Sequence, residues 1–516
     1  MHNFSEKDIN QIKALGISLS EAESQIEKIH KGFPLLHLVK PCVLHDGVIK
    51  FSEKDLTRYI QHFRSVSKDK VINKFVPASG AASRMFSPLI SFVSKKQSNE
   101  PVSVEDGIYT HKFFQNLKSF PFFKELLLYL LKEGINHDPF KEEDDLKILE
   151  CILKEKGLNY SNLPKALIKF HEYSNHTRNP LEEHIMETLE YSMGLNTKCS
   201  IHFTISKDFE PAFRTCIENF KKNTLSMEES EMEITFSYQK SNTDTIALHS
   251  HKNLFRDKNK NLVFRPGGHG ALLSNLQDIG AKADVVFIKN IDNVVPDKLK
   301  KETCSYIQAF IGFLVSIQEK IFAYLNYLDN HADLGHTKIT EIISFCKKEF
   351  SIIIFDDIAK LDNNFIRKYL FDKLNRPIRI CGLVKNKGEK GGLPFWVKDG
   401  EGEYSLQIVE GTQIDFTNQL NVEMVSHSTH FNPVFIICGM KDYQGNVFDL
   451  KKFSNPDSGI ISIKSYNGEP LLALEHPGLW NGGMYHWNTI FADIPETTFA
   501  PVKDVLDLLK DEHKNC

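Results

Sequence analysis

Several residue patterns that declare a function outright are missing from this 516-residue sequence. Its nine cysteines include no Cys-x-x-Cys pair and are odd in number. That argues against a disulfide framework or a zinc ribbon and makes a reducing, cytoplasmic setting the expectation. Neither sign of charge is in surplus: 63 Lys and Arg stand against 67 Asp and Glu, a formal net charge of -4. Such a balance speaks against nucleic acid as a partner of the whole chain, while leaving room for a local basic pocket. Tryptophan occurs three times against 38 phenylalanines, as in an ordinary apolar interior. The longest apolar run, residues 309–315, gives way to Gln318, Glu319 and Lys320 and is too short to span a bilayer. The first residues, MHNFSEKDINQIK, lack the basic-then-apolar pattern of a secretory signal, so no membrane partner is expected.

What is present favours a packed core: 41% of residues are hydrophobic and 25% charged. The length suits more than one domain, or one large domain with insertions. Residues 1–70 read as helices and turns, with Ser5 and Ser52 as helix starts. From Val71 strand candidates begin, first VINKFVPAS, then 200–206, 232–239 and 283–290, alternating with helices. Alternation of this kind predicts an α/β core with parallel strands over 71–300, carrying a helical insertion near 100–160. Residues 301–376 return to helix. From 377 to 516 the chain is richer in strands, with turns at Asp399-Gly400 and Asn467-Gly468.

Five short segments carry candidate chemistry. In 75–85, FVPASGAASRM, a strand runs into small residues that let backbone N–H groups approach an anion, and Arg84 adds a bidentate donor. The alternative is a tight strand–helix turn with a surface arginine. In 265–273, RPGGHGALL, three glycines in four positions open a helix and suit either a ligand loop or a turn needing positive φ. In 288–297, IKNIDNVVPD, a carboxylate follows an apolar strand, where ligands of open α/β sheets sit. Asp292 there is either a Mg²⁺ ligand or part of an Asx turn. Lys165 in NLPKAL and Lys503 in FAPVK are point charges that either meet phosphate or stay in solvent. His171, His176 and His184 lie among Glu172, Glu182 and Glu183, but their spacing fits no standard zinc pattern. The segments around His430-Phe431-Asn432 and Trp480-Asn481-Gly482-Gly483 mix amides, aromatics and glycine, which suits a sugar or a polar turn beside a buried Trp. Cys381 and Cys438 lie in apolar strands and read as core.

The order of these segments resembles the GT-A-like nucleotidyltransferases, and within them the UDP-sugar pyrophosphorylases. PASGAASRM is similar to their small-residue signature, LPKALIKF to their Pro-Lys segment, and FSYQ, PGGHGALL, NIDN and FAPVK to later segments in the same sequence. Through VKNKGE, STHFNPV and GLWNGGM the chain from about residue 70 onward resembles the DUF4301 family. Two positions depart: Ala82 stands where the signature has glycine, and Lys390 where proline is expected. The resemblance implies a GT-A/Rossmann-like nucleotidyltransferase core with helical insertions and a β-rich C-terminal third. It implies a Mg²⁺-dependent transferase that joins an NTP to a sugar 1-phosphate, giving a nucleotide sugar and pyrophosphate. In that reading Ser79, Gly80, Ala81, Ala82, Ser83 and Arg84 hold the triphosphate, and Lys165 and Lys503 neutralise phosphates. Asp292 holds Mg²⁺. Gln239, Gly267, Gly268, His269 and Gly270 complete the nucleotide site, while Glu410, Asn432 and Asn481 face the sugar. A GT-A glycosyltransferase and a non-catalytic nucleotide-sugar-binding protein are the alternatives; Ala82 is the best support for the latter.

Overall fold

The computed structural model describes residues 4–135, 144–192, 198–226, 232–331, 334–354, 358 and 361–514. Runs that are apolar on both faces gather into one nine-stranded sheet. Its spatial order is Val43–Leu44, Gly47–Lys50, Asn488–Asp493, Ile378–Lys385, His430–Gly439, Val285–Lys289, Val71–Pro77, Lys198–Thr204 and Glu233–Ser237. Neighbours pair in parallel except His430–Gly439, which is antiparallel to both strands beside it. Eight strands therefore end along one edge. The α/β class is what the chain has.

Strand geometry explains the two cores. Side chains alternate across the sheet. Ile72, Val285, Phe287, Ile380 and Ile437 face the long helix Asp297–Asn330 and its neighbours. Phe75, Val286, Ile288, Cys381 and Cys438 face the opposite side. Continuous apolar strands of this sort are typical of parallel sheets covered on both faces.

Ser5 and Ser52 do begin helices, each in a reciprocal capping box with an Asp three residues on. The expectation of only helices and turns in 1–70 is corrected: His37–Pro41, Val43–Leu44 and Gly47–Lys50 are strands. They are short and flanked by polar residues, so their sequence carries little period-2 signal. Strands from the N-terminal segment, the 71–300 region and the C-terminal third share the large sheet. The other C-terminal strands form two smaller sheets: Ile460–Tyr466 and Glu469–Glu475 join Thr245–Leu248, and Leu393–Lys398 and Tyr404–Val409 join His37–Pro41. Asn467 and Gly468 both take positive φ, the two-residue hairpin geometry that Asn-Gly favours.

Between Arg84 and Lys165, helices Ser87–Gln97, Val104–Gln115, Phe123–Lys132 and Asp145–Leu153 enclose a separate apolar core. Val502, Val505 and Leu508 from the end of the chain complete it. No helix among the described residues is long and apolar enough to cross a membrane.

Candidate functional site

At the carboxyl ends of the strands, segments far apart in sequence are tied together. Val71–Pro77 leads into the small-residue turn. There the Lys165 N–H donates to Gly80 O (3.0 Å) and the Ala82 N–H to Leu163 O (3.0 Å), so the turn and the Pro-Lys segment form a short antiparallel bridge. Among the described residues, no protein acceptor is found for the backbone N–H groups of Ser79, Gly80 and Ala81. All three residues are exposed, as is Arg84, and Ser83 is half-buried. The Ala82 methyl is fully buried with Met85 and Phe86, so it points into the core of the insertion and not over the turn. A Cβ at Gly80 would meet nothing within 4 Å.

Val285–Lys289 leads to Asp292. The Lys165 ammonium lies 3.0 Å from Asp292 Oδ2 and donates to Val502 O at 2.8 Å. The Val502 N–H donates back to Asp292 O (3.1 Å), and the Ala500 N–H to Asn293 Oδ1 (3.1 Å). The chain's last segment is thereby laid along 292–293. Lys503 returns to this same edge, its ammonium 3.3 Å from Glu389 Oε1 and 6.0 Å from the Phe431 ring centre. Beyond Lys503 the chain turns once, as the 3₁₀ helix Val505–Leu509.

The glycine loop belongs to a second cluster. A Cβ at Gly267 would come 2.4 Å from Thr243 O, and one at Gly270 2.2 Å from Pro477 O, so both glycines permit close backbone approach. Gly268 takes φ +72. The His269 ring stacks on Trp480 with centres 4.2 Å apart. The Leu479 N–H donates to His269 Nδ1 (3.1 Å), so the ring proton of the neutral imidazole belongs on Nε2, 3.4 Å from Glu410 Oε1. Gln413 links the cluster, accepting from the Glu410 N–H (3.0 Å) and from Asn481 Nδ2 (3.1 Å). Among the described residues, Asn481 Oδ1 and Gln239 Nε2 are buried without a protein partner. Asn432 differs: its amide donates to Gly382 O and accepts from the Val434 N–H, so both its polar ends are spent inside the strand. The two clusters are joined by residues 389–392: Gly391 lies against Glu410 and Gly411, and Glu389 faces Lys503.

The histidine cluster proves to be supporting structure. His184 is fully buried, and its Nε2 lies 3.2 Å from Asn290 O and 3.3 Å from Ile291 O. Carbonyls only accept, so His184 is the donor. Burial, with Lys74 beside it, holds His184 well below the usual imidazole pKa. Buried Glu183 accepts from His171 (2.8 Å) and Lys300, and Lys300 also holds Val295 O (2.9 Å). Burial would raise the Glu183 carboxyl, but Lys300 and His171 bring it down to about 2. Helix Pro180–Ser192 thus grips both ends of the loop that carries Asp292. Among the described residues, no three His, Cys, Asp or Glu side chains are placed to hold a metal ion.

Glu389, Gln413 and Arg379 join the candidate residues that the sequence motifs point to. Arg379 is fully buried and donates to Trp480 O and to Thr489 Oγ1 (2.8 Å), fixing the backbone beneath the His269–Trp480 stack. A charged residue inside the apolar run PIRICG was the available signal.

The α/β fold of this chain is shared with a pyrophosphorylase of known structure. The uridine diphosphate N-acetylglucosamine pyrophosphorylase from Trypanosoma brucei matches it with TM-score 0.50 at 11% identity, over 98% of this chain and 80% of that one. A putative UDP-N-acetylglucosamine pyrophosphorylase from Entamoeba histolytica matches with TM-score 0.44 at 12% identity, over 87% of this chain and 80% of that one. The chain itself belongs to the DUF4301 family, a domain of unknown function whose profile matches residues 5–514. No curated protein matches the sequence.

Proposed function

We propose that the protein is a sugar-phosphate nucleotidyltransferase, joining an NTP to a sugar 1-phosphate with release of pyrophosphate. The observation that carries this reading is the junction of Lys165, Asp292 and Val502 O beside the unpaired amides of Ser79, Gly80 and Ala81. The free N–H groups and Arg84 offer a cradle for a polyphosphate, and Lys165 and Lys503 would supply positive charge to it. A sugar phosphate is already ionised, so its oxygen can attack the α-phosphorus without a general base. The protein's contribution is then positioning and charge neutralisation. At the other cluster, the His269–Trp480 stack, Glu410 and the unpaired amide oxygen of Asn481 suit a ring with hydroxyls, and Gln239 has an amide free for a base.

The donor set also suits Mg²⁺, which is held by one or two carboxylates together with substrate phosphates. Asp292 is the carboxylate in place for that role, Oδ1 having no protein partner among the described residues. When bound, the ion would neutralise phosphate charge. A uridine nucleotide is the first to test, given what the Trypanosoma brucei protein of the same fold acts on. Purified protein incubated with UTP and other NTPs, Mg²⁺ and a panel of sugar 1-phosphates should release pyrophosphate with at least one pair. Silence across the panel would overturn the reading.

A further inference from the structure

We propose that Lys74, Glu187 and Lys289 form a buried counter-charge, one positive charge in excess, that draws anionic ligands to the carboxyl edge of the sheet; the proposal rests on the phosphate-binding reading above. Lys74 lies in the middle of Val71–Pro77, and Lys289 is the last residue of Val285–Lys289. Both side chains are 0% exposed. They share one carboxylate: Glu187 Oε1 is 2.7 Å from Lys74 Nζ, and Oε2 is 2.6 Å from Lys289 Nζ. Lys74 also donates to His184 O at 3.1 Å.

Among the described residues, no second carboxylate faces Lys74. Helix Pro180–Ser192 gives Glu187 and the neutral His184. Strand Val285–Lys289 gives Lys289 and the Phe287 ring, 5.8 Å away. Helix Asp297–Asn330 gives Cys304, whose thiol burial keeps protonated. On the other side, Lys74 is in register with apolar Ile201. Two ammonium groups therefore face one carboxylate, and burial gives them little solvent to lean on.

A surplus buried cation is a poor device for stability, since an apolar residue of similar length would fill the same space. It is a good device for a field. Lys74 precedes the end of its strand by three residues, about 10 Å of extended chain, and Lys289 directly precedes the Asp292 loop. Charge in a dry interior is screened far less by salt than charge at a surface, and it is fixed before the ligand arrives. Burial, against the pull of Glu187, brings the Lys74 pKa down to about 8. The surplus charge is then present below that pH and lost above it. Stability should change in the opposite sense, because between pH 8 and the ordinary lysine range the unfolded chain binds the proton that the folded chain has given up.

The test compares wild type with Lys74→Met, which leaves a neutral Lys289–Glu187 pair. The affinity for inorganic pyrophosphate is measured by calorimetry at pH 7 and pH 9. The ratio between the two proteins cancels any ionisation of the ligand. The expected result is a several-fold weaker Kd for the variant at pH 7, no difference at pH 9, and no loss of thermal stability at pH 7. Lys289→Met, removing the same surplus from the other strand, should behave alike at pH 7. Equal affinity of wild type and variants at pH 7 would overturn the counter-charge, as would failure of both variants to fold, which would make the trio a structural brace. Failure of wild type to bind pyrophosphate at either pH would instead overturn the phosphate-site reading and this proposal with it.

Discussion

The carboxyl edge of the sheet has a charged end and an aromatic end, built on different principles. At the charged end, Lys165 and Asp292 hold one another and the C-terminal strap through side-chain contacts, and the turn at Gly80 is left open above. At the aromatic end, backbones approach so closely that only glycine fits, and a buried arginine pins the stacked Trp480. The charged end is made of groups that can change partners when an anion arrives. The aromatic end is a fixed wall. Such a division suits a reaction in which phosphates move and the sugar and base are held.

Substitutions should separate the two ends. The largest effect on turnover is expected from Asp292→Asn, which keeps the shape and removes the charge that faces Lys165. Turnover should fall by roughly 10²-fold or more at limiting Mg²⁺, with little change in melting temperature. Wild-type turnover in this variant would make Asp292 a turn residue. Next comes a contrast between two glycines. Gly270→Ala sets a Cβ 2.2 Å from Pro477 O and should cost about 1–3 kcal/mol, seen as a lowered melting temperature. Gly80→Ala has open space and should leave stability unchanged while raising the KM for the nucleotide. If the two variants behaved alike, the distinction between the ends would fail. Lys503→Ala should weaken phosphate affinity several-fold without altering stability, because its Glu389 pair is half exposed and such pairs contribute little.

A pH-dependent effect concerns the strap that carries Lys503. His513 is buried against His171, and burial lowers its pKa to about 3. A base depressed in the folded state stabilises above its unfolded pKa, near 6.5, and loses that contribution as pH falls. Between that point and about pH 3 stability should drop by up to about 1.4 kcal/mol per pH unit. A His513→Phe variant should show a shallower acid slope in thermal melts, and an unchanged slope would remove His513 from this role.

Much of the charged end was legible because its residues sit in short segments whose order carries a resemblance. Strand, small residues and Arg84 could be read directly, as could the strand ending before Asp292. The sequence could not show that Lys165 and Val502, 337 positions apart, meet across Asp292, since that contact depends on the strap crossing the edge. Nor could it show that Gly267, Gly268 and Gly270 pack closely on Thr243 and on residues 475–477, contacts that are non-local. Asn432 looked like a ligand residue, yet a bulge in its strand consumes its amide. Lys74 and Lys289 do carry a signal in the sequence: each stands in an otherwise apolar strand, and such a charge needs a buried partner.

In the proposed reaction one ligand bridges the two ends, phosphates at the open turn and ring groups at the stacked wall. A crystal soaked with the nucleotide sugar that supports turnover tests it most directly. Phosphate oxygens are expected within hydrogen-bonding distance of the Ser79, Gly80 and Ala81 amides and of Lys165, with the sugar or base beside His269 and Trp480. A nucleotide sugar bound away from this edge, with the Lys165–Asp292 pair untouched, would contradict it.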